Sequence, residues 1–333
     1  MKKRTKGVLA AALAAAGVFL LAGLDARLLV RAYTVESGRL TGPVRLAVLT
    51  DLHACAYGEG QRELLDAVAE QSPDLVLLCG DIVDDEPRMP EERALDTVEA
   101  LAAVWPTYYV TGNHEFWTGR VDEVKARLEE RGAVVLAGEC VTVTAAGQTV
   151  QLCGIDDPSV GETRWREQLE AVTAALDGEH CSIFDDPPAG ADGDSRAGFE
   201  LVLAGHAHGG QWRLPGLLNG LFAPDQGLFP TYAGGRYALG DTTLLVSRGL
   251  ARESTRLPRF YNRPELVVVE LRPGLEEFPA KKGMRSKSYF NFWGVLPWKN
   301  RQYALSFCPN PRFLIPGAKG CCQARGFRLQ SYR

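Results

Sequence analysis

Four short apolar segments, each followed at once by a polar loop, constrain the fold of this chain more than any other feature. The segments cover residues 46–50, 75–79, 105–111 and 199–204. Apolar runs of this length, bounded by glycine or other turn residues, are typical of buried strands in a parallel sheet. Because parallel strands end at one edge of a sheet, where open α/β folds bind ligands, we expect the four loops to converge there.

The four loops are rich in Asp, Asn and His. They read DLH at 51–53, GDIVD at 80–84, GNHE at 112–115 and GHAH at 205–208, and they hold four of the five histidines of the chain. Taken singly, each loop has a simpler explanation, since Asp after a strand commonly caps a helix and Asn beside Gly commonly forms a turn. All four together, at four strand ends, predict a two-metal site.

These residue types suit phosphoryl chemistry. Two divalent ions about 3.5–4 Å apart bind a phosphoryl oxygen, lower the pKa of a bridging water and hold the resulting hydroxide in line with the leaving group. The pair His206 and His208 has the spacing and the donor type for a transition metal. His114 is placed to stabilise the phosphoryl charge or to protonate the departing alkoxide.

In this order, the motifs DLH, GDIVD, GNHE and GHAH resemble the calcineurin-like metallophosphoesterase superfamily. Residues 237–271 are similar to its membrane-associated branch of bacterial phosphodiesterases of the YkuE and YaeI type. The resemblance covers residues 44–272 and implies an α/β fold, a four-layer α/β/β/α sandwich of two mixed sheets flanked by helices. Helical spacing at 61–71, 91–103 and 121–130, and strand patterns after residue 132, agree with that layering.

Residue by residue, the resemblance also implies roles. The implied ligands of the first ion are Asp51, His53, Asp81 and His208. The implied ligands of the second ion are Asp81, as the bridge, with Asn113 and His206. His114 matches the catalytic histidine, and the carboxylates that orient ligands are Asp84 and Glu115. The implied cofactors are two divalent metal ions, of Mn, Fe, Zn or Mg.

One ligand of the second ion departs from the family pattern. Relatives carry a further histidine at a strand end shortly before the GHAH loop, and here residues 180–188 read HCSIFDDPP. His180 precedes the apolar run instead of ending it. Three alternatives stay open: a carboxylate of Asp185 or Asp186 replaces the imidazole, His180 serves in a shifted strand, or the position is empty. We favour a carboxylate, and Asp185 is the candidate ligand.

The net charge of −4 hides an uneven distribution. Residues 279–333 hold 11 Lys or Arg and no Asp or Glu, so residues 1–278 hold 26 basic and 41 acidic side chains. An acidic catalytic region argues against a nucleic-acid substrate, because clustered Lys and Arg bind a phosphate backbone. We therefore predict a small or lipid-linked phosphoester as the substrate and no nucleic-acid partner.

The amino terminus predicts a membrane anchor. Residues 1–6 include four basic side chains, and residues 7–24 are 18 residues without a charge, which is just enough for a transmembrane helix. No clear Ala-x-Ala cleavage site follows, which favours an uncleaved anchor over a signal peptide. The basic end would stay in the cytoplasm, so the catalytic domain would lie on the extracytoplasmic side of a bacterial cell membrane.

Three regions are expected along the chain. They are a basic amino terminus with a single transmembrane anchor at 1–32, a metallophosphoesterase domain at 43–272 and a basic, aromatic tail at 273–333. Cys79 and Cys153 lie in apolar runs and are expected to be buried thiols.

The predicted function is a metal-dependent phosphoesterase that hydrolyses a phosphodiester or phosphomonoester through a two-metal activated hydroxide. A lipid- or envelope-linked phosphoester is one of the substrates that this prediction includes. The alternative is a non-catalytic cell-surface binding module that kept the fold with an impaired second metal site.

Overall fold

The computed structural model describes residues 3–179, 181–185, 198–255 and 257–274. Two alternatives for the missing ligand, His180 and Asp186, lie outside the described residues, as does the predicted tail from residue 275 onward. The helices are α1 (Lys3–Gly23), α2 (Arg62–Gln71), α3 (Glu91–Ala102), α4 (Asn113–Trp117), α5 (Val121–Glu130) and α6 (Glu162–Ala174).

The strands, in chain order, form two large sheets and one hairpin. They are β1 (Leu29–Ser37), β2 (Val44–Leu49), β3 (Leu75–Cys79), β4 (Thr107–Val110), β5 (Val134–Val135), β6 (Glu139–Ala145), β7 (Gln148–Gly154), β8 (Cys181–Asp185), β9 (Leu201–Ala204), β10 (Phe222–Ala223), β11 (Gly227–Leu228), β12 (Gly235–Leu239), β13 (Thr242–Val246) and β14 (Glu265–Pro273). The short hairpin is β10 with β11.

Both six-stranded sheets are mixed. The first has the order β1-β14-β2-β3-β4-β5, in which only the β14–β2 pair is antiparallel. The second has the order β12-β13-β9-β8-β7-β6, in which the pairs at the two edges are antiparallel. Four strands, β2, β3, β4 and β9, end directly before the four polar loops. The parallel strands therefore bring those loops to one edge of each sheet, as the sequence predicts.

Alternating side chains on the buried strands pack into two different hydrophobic cores. Leu46 and Val48 of β2 pack between the two sheets. Ala47 and Leu49 pack on the opposite face with side chains of α2, α3 and α5. The outer face of the second sheet packs against α6, where Val172 is buried. These layers confirm the predicted α/β/β/α sandwich.

The first sheet extends beyond the predicted domain start at residue 43. Strand β1 pairs in parallel with β14 from Leu29 opposite Glu265 to Ser37 opposite Pro273. Strand β1 forms the edge of this sheet. Its own sequence does not predict that position, because its partner β14 lies at the other end of the domain. The boundaries 1–32, 43–272 and 273–333 stay predictions.

Helix α1 continues the chain ahead of this sheet. Its segment Lys6–Gly23 is long and apolar enough to cross a membrane, by length and composition, and only 6% of it is buried. Near its end, the hydroxyl of Tyr261 donates to the carbonyl of Phe19 at 2.9 Å, and their rings lie 5.0 Å apart. The carboxyl end of α1 therefore contacts the folded domain.

The expectation for Cys153 is wrong. This residue forms a disulfide with Cys140, and their Cα atoms are 4.0 Å apart. The two residues lie directly opposite each other in the β6–β7 hairpin, which brings the sulfur atoms together. Cys79 keeps a buried thiol, as expected.

Candidate metal centre

Three of the four loops hold their polar side chains on a backbone that residues other than glycine rarely adopt. Asp51, His53, Asp81, His206 and His208 all have positive φ, between 45° and 65°. A non-glycine residue in this left-handed region costs of order 1–3 kcal/mol, and such residues cluster at functional sites. Here the tight turns follow directly on the strand ends, so the side chains turn back toward the sheet edge.

Three of these residues bring ligand atoms to one place. Atoms of Asp51, His53 and His208 lie within 4.8 Å of one another, and the first two side chains are almost wholly buried. The two imidazole rings lie side by side, since those of His53 and His208 stack with centroids 5.2 Å apart. Burial lowers the pKa of His208 to about 3, so its ring is neutral and offers a lone pair.

The same three residues leave buried polar atoms unpartnered. Among the described residues, Oδ2 of Asp51, Nε2 of His53 and Nδ1 of His208 have no hydrogen-bond partner. Each such atom costs about 1–3 kcal/mol when buried without a partner. A divalent cation would satisfy all three, so the side chains present fit a metal ion.

Asp81 lies next to this group. One atom each of His53, Asp81 and His114 form a second cluster within 4.8 Å, and Oδ2 of Asp81 is 4.0 Å from Nε2 of His53. Burial, together with the charge of Glu115, raises the pKa of Asp81 well above its usual range. A carboxylate in such a place is stabilised by a cation, which agrees with the predicted bridging role.

Two of the residues predicted to hold the second ion, Asn113 and His206, contact each other. Nδ1 of His206 lies 2.8 Å from Oδ1 of Asn113, and its Nε2 lies 2.9 Å from Oδ2 of Asp225. The backbone N–H of His206 donates to Oδ1 of Asp51 at 2.8 Å. Asp185 is the last residue of β8 and pairs in register with Leu203 of β9. Its backbone therefore ends a strand beside the strand that carries the His-x-His loop.

His114 lies between two carboxylates and the cleft. Its Nδ1 is 2.7 Å from Oδ1 of Asp85 and 3.5 Å from Oδ1 of Asp84. Asp84 also lies 3.1 Å from Nδ1 of His53. Burial alone would lower the pKa of His114, but the close contact with Asp84 and the charges of the neighbouring aspartates raise it to about 9. These carboxylates fix the orientation of both rings.

Glu115 ties two of the loops together. It is fully buried, and its Oε2 accepts the backbone N–H groups of Asp81 at 3.1 Å and Gly112 at 2.8 Å. Its Oε1 accepts the N–H of Val83 at 2.9 Å. A Cβ on Gly112 would meet Oδ1 of Asp81 at 2.2 Å, so only glycine allows this approach. These hydrogen bonds hold the Asp81 loop against the Gly112 loop.

Sequence reasoning did not single out two acidic residues of this region. Asp85 follows Asp84 in the same loop. Its place next to a predicted site residue was a signal that could have identified it as a contact of His114. Asp225 lies in the turn between β10 and β11, with its side chain 78% exposed. Its sequence context is that of an ordinary turn, and only the folding of the hairpin over the edge brings it to His206.

A cleft of about 430 Å³ gives access to the candidate centre. Its polar wall includes His53, His114 and His208, and its apolar wall includes Trp117, Phe222 and Leu257. Phe222 belongs to the aromatic loop after the metal histidines, and it is 51% exposed. The cleft can thus accept a ligand with a charged group and an apolar part.

Comparisons with known proteins agree with this geometry. The calcineurin-like phosphoesterase model matches residues 44–210. The phosphodiesterase YaeI of Escherichia coli strain K12 is 28% identical over 238 residues, which cover 69% of this chain and 82% of YaeI. The metallophosphoesterase YkuE of Bacillus subtilis strain 168 is 27% identical over 233 residues, with coverage of 68% and 79%. A Danio rerio transmembrane protein with a metallophosphoesterase domain is 28% identical over 184 residues, with coverage of 50% and 41%.

Proposed function

This chain belongs to the calcineurin-like phosphoesterase family, as its four motifs predict, and we propose that it hydrolyses a phosphodiester at the outer face of a cell membrane through a two-metal centre. It is a hydrolase of phosphoric ester bonds, similar to the YaeI and YkuE branch. The observation that carries the metal centre is the set of unpartnered buried atoms on Asp51, His53 and His208. YaeI carries the name phosphodiesterase, which supports a diester over a monoester.

The proposed ligands follow the sequence prediction. The first ion would be held by Asp51, His53, Asp81 and His208, and the second by Asp81, Asn113 and His206, with Asp185 completing the second set. Bound divalent ions supply positive charge for the phosphoryl oxygens and acidify water. An additional carboxylate ligand favours harder ions, so we propose manganese or magnesium over zinc or iron at the second position.

The chain's own residues then orient and protonate the substrate. Nδ1 of His114 faces Asp85, so we assign its Nε2 to the phosphoryl oxygen or the leaving oxygen. Asp84 holds the His53 and His114 rings in place through its two oxygens. The apolar wall of the cleft, at Phe222 and Leu257, excludes water from one side of the substrate.

The extracytoplasmic location rests on two observations. Helix α1 is long enough to anchor the chain, and basic residues cluster at its amino end, which favours a cytoplasmic location for that end. The disulfide between Cys140 and Cys153 is typical of oxidising compartments. One relative is named as a transmembrane protein with a metallophosphoesterase domain. A reporter fused after Arg272 should be active only outside the membrane, and release of the protein by salt alone would contradict the anchor.

The function is tested on the full chain in detergent. We expect hydrolysis of a chromogenic phosphodiester that stops with chelator and returns with manganese. A matched pair of variants makes the test specific: Asp51→Asn should lose activity, whereas Asp241→Asn, in an exposed turn, should keep it. Protein that binds metal but cleaves neither a diester nor a monoester would instead support the non-catalytic surface module.

A further inference from the structure

A second cavity, of about 530 Å³, lies behind the His-x-His loop and shares no lining residue with the cleft of the metal centre. Its lining includes three arginines from three separate parts of the chain: Arg31, Arg213 and Arg248. The remaining wall comes mainly from residues 214–219 and Tyr261. Three guanidinium groups around one cavity are unusual in a catalytic region that is otherwise acidic.

One buried carboxylate faces two of these arginines. Glu265 is fully buried, and its Oε2 accepts from Nε of Arg31 at 2.9 Å. The same oxygen is 3.3 Å from Nε of Arg248, which makes no hydrogen bond. The other oxygen accepts the backbone N–H of Arg248 at 3.0 Å. Glu265 therefore supplies one negative charge, and Arg31 and Arg248 beside it supply two positive charges.

The third arginine has only neutral partners. Arg213 is 8% exposed and donates to the carbonyl of Gly209 at 3.0 Å and to the side-chain oxygen of Asn219. In the part of the chain that the structure describes, no carboxylate lies within 4 Å of its guanidinium. Burial lowers its pKa to about 10, which reflects the cost of keeping this charge away from water. The cavity thus carries two uncompensated positive charges.

The charge of this cavity suits a phosphate group. Guanidinium groups bind phosphate oxygens through paired, charge-assisted hydrogen bonds, and two surplus positive charges balance a phosphate monoester dianion. A buried surplus of this kind is costly without an anion, which gives the anion a net gain on binding.

The cavity lies beside the membrane anchor. Tyr261 lines the cavity, its hydroxyl donates to Phe19 of α1, and its backbone N–H donates to the carbonyl of Gly23 at 2.6 Å. On the rim, the side chain of Leu217 is 88% exposed. When α1 spans a bilayer, its carboxyl end is at the headgroup level, so this rim meets the lipid surface.

We propose that Arg31, Arg213 and Arg248 form a second phosphate-binding site, which takes the phosphate of an anionic lipid at the membrane surface beside α1. Phosphate binding depends only on the cavity, whereas the lipid source rests on the proposed membrane anchoring. The site would hold the catalytic domain in a fixed orientation against the bilayer, with Leu217 against the acyl boundary.

The test uses full-length, metal-loaded protein in a neutral detergent. Calorimetry measures binding of dihexanoyl phosphatidic acid, of dihexanoylglycerol, which has the same tails without phosphate, and of inorganic phosphate. We expect Arg31→Gln and Arg248→Gln to weaken phosphatidic acid binding by about 10–100-fold each, the range for a hydrogen bond to a charged group. Arg31→Lys should lose less. Arg45→Gln, the same change in a partly exposed arginine on β2, should leave binding unchanged.

Each outcome decides one part of the proposal. Equal affinity in the wild type, Arg31→Gln and Arg248→Gln would overturn the site. Arg-dependent binding of inorganic phosphate that is as tight as that of phosphatidic acid would keep the phosphate site and overturn the lipid source. Because the glutamine variants can lose stability, a photoactivatable phosphatidic acid is also cross-linked to the wild type. Labelling at residues 213–219 or at Tyr261 supports the site, and labelling confined to other segments contradicts it.

Discussion

The two halves of the candidate metal centre differ in what their side chains contact. In the first half, Asp51, His53 and His208 converge within 4.8 Å and present buried atoms without partners. In the second half, both ring nitrogens of His206 already have polar partners, one of them the exposed Asp225. The first half is therefore preorganised for an ion, whereas the second must exchange protein contacts for metal contacts.

This difference predicts that the two positions bind metal ions with unequal affinity. A preorganised site binds its ion without breaking protein contacts. An ion at the second position must first displace the contacts of His206 with Asn113 and Asp225, which lowers the free energy gained on binding. By the resemblance, the second position is also expected to have Asp185 at the end of β8 in place of a histidine. Asp81, which lies beside the first group, should couple the two.

Removal of Asp81 should have the largest effect. Because Asp81 is proposed to bridge both ions, Asp81→Ala should lose both metals and all measurable turnover. Metal content by elemental analysis and diester hydrolysis are measured on the same preparation. Asp225→Ala serves as the matched control and should keep the first ion. Full metal occupancy in Asp81→Ala would show that this carboxylate does not join the two halves.

Removal of His114 should separate chemistry from metal binding. Its Nδ1 contacts Asp85 and Asp84, and we do not propose it as a ligand of either ion. We expect His114→Ala to retain both metals and to lose about 10²–10⁴-fold in kcat, the range for a general acid or a charge-stabilising donor. An unchanged kcat would remove His114 from the proposed mechanism, and a loss of metal would make it a ligand instead.

Much of this centre was predictable because its information is local. Each loop follows its own strand, so Asp51, Asp81 and His206 could be placed at the sheet edge from neighbouring residues alone. The layered arrangement was also predictable. The helices predicted at 61–71, 91–103 and 121–130 correspond closely to α2, α3 and α5.

What sequence reasoning missed depends on contacts between distant or paired segments. Strand β1 joins the sheet through β14, which is more than 200 residues away, so no local pattern marks it. The Cys140–Cys153 pairing follows from the hairpin register, which an apolar pattern around Cys153 does not reveal. The contact of Asp225 with His206 likewise depends on how the β10–β11 hairpin folds back.

The inequality of the two halves is measured directly by comparing His208→Ala with His206→Ala. Metal binding to the folded state raises the free energy of unfolding, so the rise in Tm between chelated and metal-saturated protein reports affinity. We expect His208→Ala to reduce this rise more than His206→Ala, because His208 belongs to the preorganised half. A difference of about 1 kcal/mol corresponds to about 2–4 °C for a domain of this size. Equal or reversed losses would contradict the comparison.

The weaker half should improve when the family's imidazole is restored. Asp185 and Asp186 both fit the position of the missing histidine, so Asp185→His and Asp186→His are made one at a time. We expect one variant to bind the second ion more tightly, to shift its preference from manganese toward zinc and to raise turnover. The other variant is the matched control. If His180→Ala alone empties the second position while both histidine variants do nothing, His180 is the ligand and the strand register differs.

The smallest expected effect comes from Asp225, which contacts the weaker half from an exposed turn. Oδ2 of Asp225 lies 2.9 Å from Nε2 of His206, and the carboxylate is 78% exposed, so solvent screens most of this interaction. Asp225→Asn keeps the side-chain size and removes the charge. Since the carboxylate competes with an ion for His206, we expect the variant to bind the second ion up to about fivefold more tightly, within the range of an exposed ion pair. Titration with manganese of protein already holding its first ion measures this. A loss of the second ion would mean that Asp225, and not Asp185, completes the second position, and the two halves would then differ in exposure rather than in the number of their ligands.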